Sequence, residues 1–293
     1  MASGRVTFFK AVSSVFELLP ESVDRRVSKV AATAAGFWQL GARANLTTNV
    51  RHALTGPRRR PSTALVERVV NRGFASYGEY WAEGGKLPAL DLDDIVSRFV
   101  ISEGEEHLRA ASARGKGVVI ALPHVGSWEW GGAYLAHLGF PMTAVAEALD
   151  PPELFEHFRA KRHAIGLNIE PLDERAGTVL LQTLAAGGVV GLLCDRDIQG
   201  NGIPTQFFGE TVSIPAGPAT LALRTGATLL AAACYSGPGD GHHAVITGPI
   251  DAERQGKLRE DVHRVTQLVA NELEGLIRRA PEQWHVLQPR FDA

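Results

Sequence analysis

Residues 118–132 read Val118-Val119-Ile120-Ala121-Leu122-Pro123-His124-Val125-Gly126-Ser127-Trp128-Glu129-Trp130-Gly131-Gly132. Five consecutive apolar residues, three of them β-branched, predict a buried strand that ends at Pro123. Ser127 is suited to cap a helix that follows. The same texture recurs downstream. Apolar runs at Met142–Ala146, Leu167–Pro171, Val189–Cys194, Thr228–Tyr235 and Ala244–Thr247 are separated, in many cases, by helical stretches at 128–137, 152–165, 176–186 and 216–225. This alternation predicts an α/β fold with a central, mostly parallel sheet flanked by helices. Leu258, Val262, Val265, Val269, Leu273 and Leu276 add a long amphipathic helix that stops before Pro281.

Upstream, from residue 5 to about 113, the pattern is helical, with breaks at Gly56-Pro57, Pro61, Gly84-Gly85 and Pro88. This predicts an N-terminal helical extension. With no repeat, low-complexity tract or flexible linker, residues 1–293 read as one domain.

The chain has 293 residues, 45% hydrophobic and 21% charged, with 30 Lys+Arg against 32 Asp+Glu. That composition excludes disordered and fibrous classes. Two cysteines, Cys194 and Cys234, cannot build a disulfide framework, so a reducing compartment is expected. The stretch from Ala176 to Cys194 is broken by Gln182 and Gly187-Gly188 and is not a membrane span. Lys10 and Glu17 interrupt the first apolar run, so it is not read as a secretory signal.

The net charge of −2 hides an asymmetry: residues 1–72 hold 12 of the 30 basic residues and only four of the 32 acidic ones. An anionic partner for this part is expected. Phe8, Val12, Val15, Phe16 and Leu19 recur at helical spacing, beside Phe9 and Arg5, and Arg58-Arg59-Arg60 follow. Apolar faces beside cations suit an anionic bilayer surface, which makes residues 1–72 a candidate membrane-facing part. A helical layer packed on the rest of the protein, with a solvated basic face, has the same period. No nucleic-acid-reading motif accompanies the charge, and no nucleic-acid partner is expected.

His124 falls in the loop beyond a strand's carboxyl end, where open α/β sheets build their sites. Glu129 falls in the first turn of the next helix, from which its carboxylate is expected to reach back to the imidazole. Such a pair lets His124 take a proton from a hydroxyl while Glu129 holds the tautomer. Backbone N–H groups at the helix start are candidates to stabilise an oxyanion. The alternative is a capped helix with an incidental loop histidine. Trp128, Phe207 and Phe208 fit an acyl groove and fit core packing equally. His242-His243, beside Gly237-Pro238-Gly239-Asp240-Gly241, reads as a surface turn. Asp195 and Asp197 lack a companion His/Cys spacing, and no metal is expected. Neither a G-x-S-x-G elbow nor a P-loop is present.

His124-Val125-Gly126-Ser127-Trp128-Glu129 resembles the H-x-x-x-x-[DE] motif of glycerolipid acyltransferases, in the H-x-G-x-W-E form of the bacterial lipid A biosynthesis acyltransferases. The resemblance continues, in order, at Arg162 and Gly166, at Cys194-Asp195-Arg196-Asp197, at Phe207-Phe208-Gly209-Glu210 and at Arg224-Thr225-Gly226-Ala227. It covers about residues 115–235. Where that family usually has an arginine after the second strand, this chain has Glu147, a departure similar to the actinobacterial branch, the phosphatidylinositol mannoside acyltransferases. The resemblance implies a peripheral enzyme on the cytoplasmic face of the plasma (inner) membrane that moves a fatty acyl group, typically palmitoyl, from acyl-CoA to a mannose hydroxyl of a mannosylated phosphoinositide. It implies no resident cofactor, acyl-CoA being a co-substrate, and roles in substrate positioning for Arg162 and Asp195. Glu147, whose carboxylate can accept hydrogen bonds from sugar hydroxyls, and Arg196 are further candidates for substrate positioning. A carrier-protein donor, another glycolipid acceptor, and a non-catalytic lipid-binding protein are the alternatives.

Overall fold

The computed structural model describes residues 20–56, 60–147 and 151–291. Arg5, Phe8, Phe9, Arg58, Arg59 and the apolar spacing over 8–19 lie outside them. The described chain opens with three helices, α1 (Glu21–Trp38), α2 (Leu40–Leu54) and α3 (Thr63–Lys86). A short helix α4 (Leu92–Ser97), strand β1 (Phe99–Glu103) and helix α5 (Glu105–Ala113) follow. Then comes the alternation β2 (Val118–Leu122), α6 (Trp128–His137), β3 (Met142–Ala146), α7 (Pro152–Ala164), β4 (Asn168–Pro171), α8 (Ala176–Ala185) and β5 (Val189–Leu193). A hairpin of β6 (Ile203–Phe207) and β7 (Glu210–Ile214) leads into α9 (Gly217–Thr225), β8 (Thr228–Ser236), β9 (His242–Ile246) and α10 (Leu258–Arg279).

Seven strands form one sheet in the order β1-β9-β8-β2-β5-β3-β4, and every neighbouring pair is parallel except β8 with β9. The mostly parallel α/β architecture expected from the sequence is therefore present. All five residues of β2 are buried, as a central strand covered on both faces requires. Val119 and Ala121 enter the core shared with α8, α9 and α10, while Val118, Ile120 and Leu122 enter the core shared with α5 and α6.

Two elements depart from the sequence reading. β1 lies within the region expected to be helical, because only Phe99 and Ile101 alternate inward over five residues, too short a period-two signal between helices. The β6–β7 hairpin was not expected either. Phe208 (φ 51°) and Gly209 (φ 86°) form its two-residue turn, where a phenylalanine at positive φ masks the usual Asn-Gly signature.

The helical extension packs tightly. A Cβ on Gly78 of α3 would lie 2.4 Å from the Ser28 carbonyl oxygen of α1. Buried or half-buried ion pairs join the same two helices: Lys86–Asp24 at 2.7 Å, Arg25–Glu83 at 3.0 Å and Lys29–Glu79 at 2.8 Å. Arg25 and Lys29 of the basic N-terminal third thus meet acids of α3. The outer face of α1 is apolar and solvent-exposed instead, with Val23, Val27, Val30 and Phe37 running into Trp38 (86% exposed) and Leu40. Arg26 and Arg60 are exposed. No helix among the described residues is long and apolar enough to cross a membrane.

Residues 281–291 form a strap that returns from α10 across α2. Asn49, fully buried, donates through Nδ2 to the carbonyls of Val286 (2.8 Å) and Gln288 (3.2 Å), and Asn45 donates to Leu287 O at 3.0 Å. Asn49→Ala leaves two strap carbonyls without their donor. A loss of about 2 kcal/mol in unfolding free energy is expected in urea titration, against less than about 0.5 kcal/mol for an exposed control substitution.

Candidate active site

Parallel pairing of β2 with β5 sets Leu122 opposite Leu193, so the residues two positions beyond each strand, His124 and Asp195, leave the sheet side by side. Asp195 is fully buried. Its Oδ1 accepts from His124 Nδ1 at 2.5 Å, and its Oδ2 accepts from the His124 backbone N–H at 2.9 Å and from Trp284 Nε1 at 2.7 Å. Burial alone would raise the Asp195 carboxyl, but the imidazole and these donors outweigh it and hold the group below the usual carboxylate range. An ionised carboxylate on Nδ1 fixes the tautomer in which Nε2 is the accepting nitrogen. The His124 side chain is one-quarter exposed and opens on a cleft.

The loop that carries His124 is clamped from both sides. Gly126 donates to Gln283 O at 2.9 Å, Ser127 donates to Cys234 O at 3.1 Å, and His285 donates to the His124 carbonyl at 2.7 Å. Gly126 has φ 57°, and a Cβ there would lie 2.0 Å from the Cys234 carbonyl oxygen, so only glycine fits. The N–H groups of residues 124–127 are all donated within the protein, including Val125 to Pro123 O.

Glu129 does not reach back to His124. Helix α6 turns its first-turn carboxylate towards α3 and α7, where Oε1 accepts from Tyr80 OH at 2.9 Å and from Arg162 Nη2 at 3.0 Å. Arg162 also lies over the Trp128 ring, 5.3 Å from its centroid. The carboxylate expected to orient the imidazole is therefore replaced by Asp195, which the sequence reading had set aside for the substrate. Glu129 fixes an arginine instead.

The cleft encloses about 630 Å³, within the range of small-molecule sites. Tyr80, His124, Trp128, Glu147, Arg162 and Arg196 line one part of it. Leu172, Leu180, Leu181, Leu192 and Leu221, from the β4–α8 loop, α8, β5 and α9, form an apolar wall. Glu147 and Arg196 pair with each other at 3.3 Å. Asp197 organises the loop before β6, accepting from Gly200 N, Gly202 N and Ser213 Oγ.

Phe207 and Phe208 do not line the cleft. Both are buried against Trp284 and Phe291, so the aromatic pair fills core volume under the hairpin. His242 is likewise no turn residue. It lies buried in β9, bonded to Glu83 at 3.0 Å and stacked on Trp130 at 4.1 Å. Tyr80, Trp284 and His285 were missed by the sequence reading. The adjacent Trp284-His285 pair, polar-tipped rings just beyond a long helix, was the available signal. His285 bonds Ser76 Oγ at 2.9 Å and packs on Tyr77 and Tyr80. Burial, with a smaller contribution from His124, pushes its pKa down to about 3.

An Asp–His pair opening on a half-apolar cleft, at the carboxyl ends of parallel strands, has the chemistry to take a proton from a hydroxyl. The chain belongs to the bacterial lipid A biosynthesis acyltransferase family, whose model matches residues 5–293, and it is an acyltransferase. It is 33% identical over 237 residues to the phosphatidylinositol mannoside acyltransferase of Mycolicibacterium smegmatis (strain ATCC 700084 / mc(2)155), covering 80% of this chain and 76% of that protein. The protein of the same name from Mycobacterium tuberculosis (strain CDC 1551 / Oshkosh) is 35% identical over 235 residues, 79% of this chain and 72% of that one.

The neutral, half-buried His285 makes stability depend on pH. An unfolded histidine binds its proton near pH 6.5, whereas the folded one binds it only near 3. Between those values the unfolded state holds the extra proton, so acidification favours unfolding. Between pH 7.5 and 5 this residue removes about 1–2 kcal/mol of stability. Urea titrations at the two pH values are expected to show His285→Gln losing that share of the dependence.

Proposed function

We propose that the protein transfers a fatty acyl chain, palmitoyl in its principal reaction, from acyl-CoA to a mannose hydroxyl of a phosphatidylinositol mannoside. The observation that carries this reading is the His124–Asp195 pair beside a cleft with one apolar wall. The names of the relatives from two mycobacterial species support the acceptor class. His124 Nε2 takes the hydroxyl proton as the oxygen attacks the thioester carbonyl. The C–O ester bond forms, the C–S bond breaks, and the imidazolium returns its proton to the departing thiolate. Asp195 stabilises the imidazolium at Nδ1. Because a thioester is already activated, no covalent acyl-enzyme is needed.

Arg162, held by Glu129 and Trp128, offers its positive charge to a substrate phosphate. The Glu147–Arg196 pair at the cleft presents both an acceptor and donors to sugar hydroxyls. The leucine wall suits the acyl chain.

We also place the enzyme peripherally on the cytoplasmic face of the plasma membrane. The outward face of α1, with Val27, Val30, Phe37 and Trp38 beside exposed Arg26, supports this reading. Arg60 adds a further exposed cation.

In a purified assay with labelled palmitoyl-CoA and a mannosylated phosphoinositide, His124→Ala is expected to lower kcat by roughly 10²–10⁴-fold. A wild-type rate in that variant would overturn the mechanism. Competition between palmitoyl-CoA and palmitoyl-carrier protein assigns the donor. For docking, Val30→Glu/Trp38→Glu is expected to weaken binding to anionic vesicles on the order of tenfold while the circular dichroism spectrum is kept. Undiminished sedimentation with the vesicles would remove this face from the argument.

A further inference from the structure

Trp284 sits in the strap, remote in sequence from the residues that define the site. It is buried and does not line the cleft. Its indole edge packs on Phe208 at 5.7 Å and on Phe207 at 6.2 Å, which fixes the ring plane against the hairpin. A tryptophan retained for bulk has no need to aim its single polar atom at a carboxylate, yet Nε1 lies 2.7 Å from Asp195 Oδ2. Trp284 also bridges to Val125, while Gln283 and His285 on either side bond the backbone of Gly126 and His124. The strap therefore grips both members of the pair, the carboxylate by an indole and the imidazole by its backbone.

We propose that Trp284 is a positioning residue for the acyl transfer: its N–H holds Asp195 so that Oδ1 stays on His124 Nδ1, and it sets how strongly the pair attracts a proton. The inference rests on the proposed function, in which His124 is the base and Asp195 its partner. The sign follows from charge. A donor on Oδ2 draws negative charge away from Oδ1, so its removal makes Asp195 a better stabiliser of imidazolium and raises the pH at which His124 becomes free to act. The other ionisable groups near the pair are the Cys194 thiol, His285 and Arg290, with Tyr80, Glu147, Arg162, Arg196 and Asp197 lining the cleft on which His124 opens, and substitution at 284 leaves all of them in place. Burial holds the thiol protonated and His285 neutral, while Arg290 bears a fixed positive charge.

The test is the pH profile of kcat/KM for Trp284→Phe in the full chain, beside Asp195→Asn and the double variant. Trp284→Phe is expected to move the acid limb to higher pH by about half to one unit. It is expected to lower plateau kcat roughly tenfold, within the range general-base catalysis commands, and to leave KM for both substrates unchanged. On the Asp195→Asn background the same change is expected to move nothing further. An unmoved limb, or an equal shift with and without the carboxylate, would overturn the inference. If Trp284→Phe fails to fold, benzothienylalanine at position 284 keeps the ring shape and removes only the N–H. The same shift is expected, and its absence overturns the proposal. Wild-type turnover in Asp195→Asn would instead sink the dyad reading itself, so the two failures are distinguishable.

Discussion

The in-register parallel pairing of β2 with β5 is the constraint on which the site depends. Because Leu122 and Leu193 are partners, whatever stands two residues beyond each strand must emerge at the same height and about one strand spacing apart. His124 and Asp195 occupy those positions. A register slip of one residue would both separate them and exchange the side chains that β2 sends into its two cores, so the packing that stabilises the sheet also keeps His124 beside Asp195. Fold and chemistry share one interaction.

A buried carboxylate needs more than one partner. Removal from water disfavours its charged form by several kcal/mol, and a single neutral imidazole offsets little of that. Asp195 receives three donors from two places far apart in the sequence: the backbone and ring of His124, and the indole of Trp284. The strap also relies on the helical extension, since Asn45 and Asn49 of α2 hold its carbonyls. The N-terminal helices are thus linked to the His124–Asp195 pair through two layers of hydrogen bonds. Tyr80 of α3, bonded to Glu129 beside the cleft, forms a second link.

Strong periodicity explains how much could be read from the sequence. The six expected strands and the helices between them all occur, and continuous burial in a parallel sheet writes central strands such as β2 as unbroken apolar runs. β1 and the hairpin escaped because they are short and half-exposed. His124 was legible from its place after a strand, but its partner was not. Glu129 is five residues away along the chain and Asp195 is 71, and only strand order tells which one returns to the imidazole. Phe207 and Phe208 show the converse limit: an aromatic pair has the same signature in a groove and in a core.

The strap has a temporal consequence for a chain made from its N-terminus. Asp195 is synthesised 89 residues before the tryptophan that bonds it. At the usual pace of translation, roughly 5–20 residues per second, several seconds separate the two. During that interval the sheet can pair and the apolar runs can collapse, yet the carboxylate lacks its indole and the loop around His124 lacks its clamp. The nascent protein can therefore hold a nearly complete sheet before Asp195 holds its third donor, and the surroundings of His124 are finished only when the strap arrives.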